Sequence, residues 1–222
     1  VSAGVRLWQV AGHGSKCRFS PSARCFRRAL QTHFAQSVVP GVEQRPLSDQ
    51  TAEAILHKLV KISPLTAQSH TTVSLSRFAL LFWPWWCSVR TTLVRLGRKD
   101  PLCWSRRVPG GLPVLWLDTR EGAFARLANH APGCFTVRFS ESRPYTLAIE
   151  FVSASRKLAS ILIQVGPGGE VLVGGRKHAS LAEFVLHQPE LATVYAKRPH
   201  EPSKQFIFGG LTRAFQHGLR RS

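Results

Sequence analysis

Methionine is absent from all 222 residues, position 1 included, so the chain is read as a fragment or processed piece with an upstream architecture that is not seen. Acidic residues are scarce: 12 Asp and Glu stand against 30 Lys and Arg, a net charge of +18. Partners gathered by long-range attraction are therefore anionic, and phosphoprotein, nucleic acid and acidic membrane all qualify. Long apolar runs are missing as well. The longest, Phe78 to Val89, contains Pro84 and falls far short of the roughly 20 residues a membrane span requires. No charged segment followed by an apolar run opens the chain, so no signal peptide is read. The five cysteines, Cys17, Cys25, Cys87, Cys103 and Cys134, include no Cys-x-x-Cys and no zinc-type spacing with histidine. That usage suits a reduced, intracellular chain with no metal site and no cofactor.

Catalytic patterns are equally sparse. The nine histidines form no His-Glu-x-x-His, and none stands in a spacing that supplies a nucleophile and an orienting carboxylate. Gly12-His13-Gly14-Ser15-Lys16 resembles part of a phosphate loop, but its Ser-Lys order is reversed and no strand precedes it. The expectation is a protein that is not an enzyme. With 44% hydrophobic residues against 19% charged, the chain can nevertheless bury a core, as one ordinary domain with extensions or as two small ones.

The basic excess is weakest over residues 114–199, where strand patterns and turns are clearest. Residues 1–45 are basic and show no sustained period, and no fold is assigned to them. Residues 47–63 read as a helix capped by Ser48 or Asp49, with Ala52, Ile55, Leu56, Leu59 and Val60 at helical spacing and Pro64 as the stop. A second helix is expected from about Trp85 to Leu96, and residues 98–113 read as a connector. Tryptophans 83, 85 and 86 are expected to fill a core.

From Asp118 onward the pattern sharpens. Asp118 or Thr119 caps a short helix, strands follow at Cys134–Phe139, Thr146–Val152, Leu158–Val165 and Val171–Val173, and Ser180-Leu181-Ala182-Glu183 is a capping box that opens a last helix before Pro189. Alternation along Cys134–Phe139 puts Arg138 mid-strand on the face of Cys134 and Thr136. A buried arginine requires a counter-charge, so Arg138 is either paired with an internal carboxylate or awaits an anionic ligand. The loop that follows offers hydroxyls and amides suited to a phosphate, which favours the ligand. On that view Arg138→Ala leaves the ligand-free fold unharmed.

Phe135-Thr136-Val137-Arg138, Arg120-Glu121 before it, and Gly174-Gly175-Arg176-Lys177 with Ser180 to Val185 after it together resemble a Src homology 2 (SH2) domain. Arg138-Phe139-Ser140-Glu141-Ser142 is similar to the phosphate loop of the STAT proteins, signal transducers and activators of transcription. Phe82-Trp83-Pro84-Trp85-Trp86 and Trp104 resemble the STAT linker, and Val73 to Phe78 the stretch ahead of it, so the likeness spans about residues 46–208.

The resemblance implies an α+β fold: an SH2-type central antiparallel sheet flanked by two helices, preceded by a mostly helical linker. The organisation is then a basic segment 1–45, a helical linker 46–113, an SH2 domain 114–200 and a basic tail 201–222. It implies that Arg138 grips the phosphate of phosphotyrosine, that Arg120 flanks it, and that Ser140, Glu141 and Ser142 form the surrounding loop. It further implies a signalling module of the cytoplasm and nucleus whose partner is a phosphotyrosine-containing protein or peptide. Ser160 and Leu162 stand where many kinase-type SH2 domains carry histidine and lysine, as suits the STAT branch. Arg143-Pro144-Tyr145 replaces the family's glycine-containing loop end. The alternative reading is a basic nucleic-acid-binding fragment without phosphotyrosine specificity, with DNA reached through an upstream domain or held weakly by the basic ends, residues 1–46 and Arg213, Arg220 and Arg221, which contact backbone phosphates without reading sequence. Both tyrosines, Tyr145 and Tyr195, lie inside the expected domain, so dimerisation through a tail phosphotyrosine is not supported.

Overall fold

The computed structural model describes residues 3–12, 23–37, 47–49, 51–52, 55, 75–104, 114–195 and 202–209. They fall into two compact units, one comprising residues 1–38 and 46–90 and the other residues 39–45 and 91–222.

The first unit is helical. Residues 1–45, which show no sequence period, contain helices Ala3–Gly12 and Ala23–Ser37. Their cohesion is aromatic: Trp8 lies 5.0 Å from Phe78, and Phe26 meets Phe78 and Phe82 edge-on at 5.7 and 5.6 Å. Ser48 caps the next helical segment by accepting from the Thr51 amide at 3.1 Å, and Ala52 and Ile55 are buried. Residues 50, 53, 54 and 56–63 of that expected helix lie outside the described residues.

Helical structure then runs from Leu75, ten residues earlier than the pattern suggests, as a turn Leu75–Arg77, a π-helix Phe78–Phe82 and an α-helix Trp83–Leu96. Pro84 accounts for the widened segment. Its ring would clash with the carbonyl four residues back, and the ladder loosens so that the Trp83 amide reaches five residues back to the Phe78 carbonyl. Trp86 is wholly buried and stacks on Phe82 at 5.7 Å, as a core role requires, while Trp83 and Trp85 are half-buried.

The second unit is α+β, with a central, mainly antiparallel sheet flanked by helices. Strands β1 (Leu115–Trp116), β2 (Cys134–Phe139), β3 (Thr146–Val152), β4 (Leu158–Val165), β5 (Val171–Val173) and β6 (Arg176–His178) lie side by side in that order. β7 (Thr193–Val194) also joins β2, and both β1 and β7 run parallel to it. The two short parallel strands make β2 an interior strand, and all six of its residues are buried. β1, β6 and β7 have no sequence signal because two or three residues cannot display a period.

Helix Arg120–Leu127 is capped by Thr119, whose hydroxyl accepts from the Gly122 amide at 3.0 Å. It covers the Arg138 face, where Leu127 packs with Cys134, Val152 and Tyr195. On the opposite face Phe135 stacks on Phe208 at 6.1 Å and Phe139 meets Trp104 at 6.2 Å. Phe208 belongs to a helix over 204–209, within what the sequence pattern treats as a basic tail. That segment is attached by its backbone, since Val194 donates to the Pro202 carbonyl and Lys204 to that of Ala192, both at 2.9 Å. Arg213, Arg220 and Arg221 lie outside the described residues.

The supposed connector also belongs to this unit. Pro101–Trp104 forms a 3-10 turn, Arg95 donates to the Val165 carbonyl at 3.0 Å and Arg98 to that of Pro167 at 2.7 Å. Asp100 Oδ2 accepts from the Leu181 amide at 2.8 Å, at the start of helix Leu181–His187. Ser180 caps the same helix as its capping box indicates, with the Glu183 amide donating to its hydroxyl at 3.1 Å. Residues 105–113 are not among those described.

Gly169 shows how tightly the clamp closes. Its φ is +90°, and a Cβ there would sit 2.5 Å from the Arg95 carbonyl oxygen, a backbone atom that cannot swing aside. Gly169→Ala is expected to cost about 1 to 3 kcal/mol through strain and displacement of the helix end. Chemical denaturation checks this, and a wild-type midpoint would refute it.

Candidate anion site

β2 pairs with β3 in a register that sets Arg138 opposite Ala148 and Thr136 opposite Glu150, while β4 sets Leu162 opposite Ala148 and Ser160 opposite Glu150. Directly opposed residues share a face, so Arg138, Glu150 and Ser160 lie on one face of the sheet, the first two buried and Ser160 exposed. Ala148 leaves room for the arginine side chain to run diagonally toward Glu150.

It does so. Arg138 Nε and NH2 both donate to Glu150 Oε1, at 2.9 and 2.6 Å, and NH1 donates to the Phe139 carbonyl at 3.2 Å. Ser160 donates to the other carboxylate oxygen. Arg138 is 5% exposed and Glu150 is 0% exposed. Of the two alternatives open for Arg138, the ligand-free fold realises the internal carboxylate. This overturns the expectation that Arg138→Ala leaves the fold unharmed, because that change would strand a buried charge.

Guanidinium geometry qualifies the result. Arginine has five N–H groups, and among the described residues three of Arg138's have acceptors. The Nε–H and the adjacent NH2 hydrogen go to Glu150, and one NH1 hydrogen goes back to the main chain. One hydrogen each on NH1 and NH2 is left, and in planar guanidinium these form the terminal edge of the fork. That edge can still take two oxygens side by side.

The following loop is ordered by its own groups. Ser140 is buried, its amide donates to the Thr146 carbonyl at 2.8 Å, and its hydroxyl accepts from the Arg143 amide at 3.1 Å. Glu141 Oε2 accepts from the Arg120 amide at 3.3 Å, which ties the loop to the start of helix Arg120–Leu127. Arg120 itself is exposed, with its guanidinium 5.0 Å from the Phe124 ring centroid. Ser142 is exposed. The structure thus brings Ser140, Glu141 and the backbone of Arg120 together around one loop, and Arg138 enters from the strand leading into it.

Tyr145 ends the loop at φ 56°, a left-handed conformation that glycine would adopt without strain. Its ring lies 4.3 Å under the Arg95 guanidinium. On the Arg138 face, a groove of about 390 Å³ lies between Arg143, Leu162, Gln164, Leu172 and the Gly174-Gly175 turn. Leu162 is 40% exposed there, an apolar side chain open to solvent beside basic and amide groups.

Glu150 is the member that the sequence reading misses. Its signal is present: Thr146–Val152 is otherwise free of charge, and an acid alone in one apolar strand answers a base alone in its neighbour. Burial raises the pKa of the Cys87 and Cys103 thiols, opposed at Cys87 by the nearby Arg90 charge. Among the described residues no group of three or more His, Cys, Asp or Glu could hold a metal ion, and no helix is long and apolar enough to cross a membrane.

Comparison with protein families finds no matching family model, and no curated protein matches the chain. Among solved structures, the chain is similar to the SH2 domain of the CRK/CRKL homolog of Monosiga brevicollis. Identity is 19%, the match covers 38% of this chain and 74% of that one, and the TM-score is 0.30.

Proposed function

We propose that the second unit is a phosphotyrosine-binding module in which the terminal edge of the Arg138 guanidinium receives the phosphate. The observation that carries this reading is the unused pair of N–H groups on a buried arginine, beside a loop that closes on Ser140 and Glu141. Arginine matches phosphate oxygens in pairs, whereas a lysine would present a single point charge. An arginine only 5% exposed favours a long aromatic stem over the short side chain of phosphoserine. Residues flanking the phosphotyrosine have an apolar floor at Leu162 and Leu172 and a basic rim at Arg143.

The same proposal makes the chain a binding protein without catalytic chemistry, in a STAT-like signalling protein of the cytoplasm and nucleus. The Arg138-Phe139-Ser140-Glu141-Ser142 run and the tryptophan-rich helix ahead of it support that finer assignment. Calorimetry on the full chain, with a degenerate peptide pool fixed at phosphotyrosine, is expected to show binding that phosphoserine and unphosphorylated pools lack. Equal affinity for all three pools, or for none, would overturn the reading.

A further inference from the structure

We propose that Glu150 is the built-in counter-ion of the Arg138 site, and that it sets how tightly a phosphate can bind there. The inference rests on the phosphotyrosine reading and adds a residue that limits affinity from within. Glu150 makes no use of solvent: Oε1 takes Nε and NH2 of Arg138, Oε2 takes the Ser160 hydroxyl, and the residue is 0% exposed. Both oxygens are therefore engaged, and the carboxylate is a fixed part of the strand face.

Two consequences follow from that position. The guanidinium cannot rotate without breaking its bonds to Glu150 and Phe139, so its terminal edge is already held in one orientation before a ligand arrives. At the same time the pair is formally neutral. A phosphate on the terminal edge meets an arginine whose charge is cancelled one guanidinium width away, in a site that water screens poorly. Glu150 thus lends precision and withholds attraction, which makes the phosphate's own charge and the surrounding donors decisive.

Glu150→Gln separates these effects. The amide oxygen can still accept from Arg138, so orientation is kept, while the negative charge is removed. The probes are phenyl phosphate and the phosphotyrosine peptide pool, titrated calorimetrically into the full chain. The variant is expected to bind both on the order of 10- to 100-fold more tightly than wild type. Binding by the variant alone supports the inference as well. Equal or weaker binding by the variant, with wild type binding, would overturn this inference and leave the phosphotyrosine reading standing, whereas binding by neither protein overturns both.

A second measurement needs no variant and decides the case should Glu150→Gln fail to fold. In nitrogen-15 spectra of the wild-type chain, the Arg138 Nε–H resonance is expected to stay in place as phenyl phosphate is added, while the NH1 and NH2 protons shift. Movement of Nε–H to a solvent-exchanging position would mean that the ligand expels Glu150, and the counter-ion role would be refuted.

Discussion

Arg138→Ala is expected to lower the unfolding free energy by about 3 to 5 kcal/mol, because it leaves the wholly buried Glu150 carboxylate without its partner. Thermal unfolding should record a midpoint lower by roughly 10 to 20 °C. Phosphotyrosine binding should fall in the same variant by about 2 to 5 kcal/mol, the cost of losing a bidentate charge-assisted contact. The two losses have different remedies. Arg138→Met combined with Glu150→Leu removes both charges together and should recover most of the stability, since a packed apolar pair often replaces a buried ion pair without penalty. It should recover none of the binding. A stable single alanine variant would show that the two side chains are not coupled, and a double variant that still bound phosphotyrosine would place the site elsewhere.

The second large effect is a pH dependence. Asp100 is 5% exposed, and burial pushes its carboxyl up from the ordinary 3.8 to about 6, against the opposing hydrogen bonds from the Leu181 and Ala182 amides and the Ser180 hydroxyl. Its sign is the reverse of the usual acid-denaturation case. The folded state binds the proton more tightly than the unfolded chain, so Asp100's contribution is full below pH 3.8 and lost as pH rises through about 6. Two pKa units correspond to about 3 kcal/mol, all of it within that window. Asp100→Asn keeps an acceptor for the Leu181 amide and removes the charge. It is expected to abolish the contribution and to be about 1 to 3 kcal/mol more stable than wild type at pH 7. Urea denaturation at pH 4, 5, 6 and 7 checks both, and parallel pH profiles for wild type and variant would refute the assignment.

The legible parts of the fold are those in which local chemistry and global position agree. β2, β3, β4 and β5 lie where alternation and turn residues set them, and Ser48, Thr119 and Ser180 are the caps their spacing indicates. The helices of residues 1–45 were not legible because their buried side chains, Leu7, Trp8, Phe26, Leu30 and Phe34 among them, are interspersed with arginines that blur the apolar period. β1 and β7 exist because β2 offers them backbone partners, a tertiary cause that leaves almost no trace in two residues.

In the candidate site, Arg138 was legible as a mid-strand arginine that requires a counter-charge, and the segment after it as a polar loop. The carboxylate that pairs with Arg138 shows in the sequence only as the one charge of Thr146–Val152, and its pairing follows from strand register. Register becomes visible only when Arg138↔Ala148 and Thr136↔Glu150 are known. Arg120 illustrates the converse, for its backbone reaches the loop while its guanidinium lies near Phe124.

The contacts made by residues 95–104 determine what can be exchanged between proteins as a unit. Arg95, Arg98, Asp100 and Trp104 supply, in turn, two carbonyl grips on the β4–β5 turn, a cap for helix Leu181–His187 and a ring against Phe139. A graft that began at Val114 would transplant a sheet without the ring against Phe139, a helix without its Asp100 acceptor and a turn without its two arginine grips. Recombination can therefore move this unit with those contacts intact only with a cut ahead of Arg95, inside the helix that ends at Leu96.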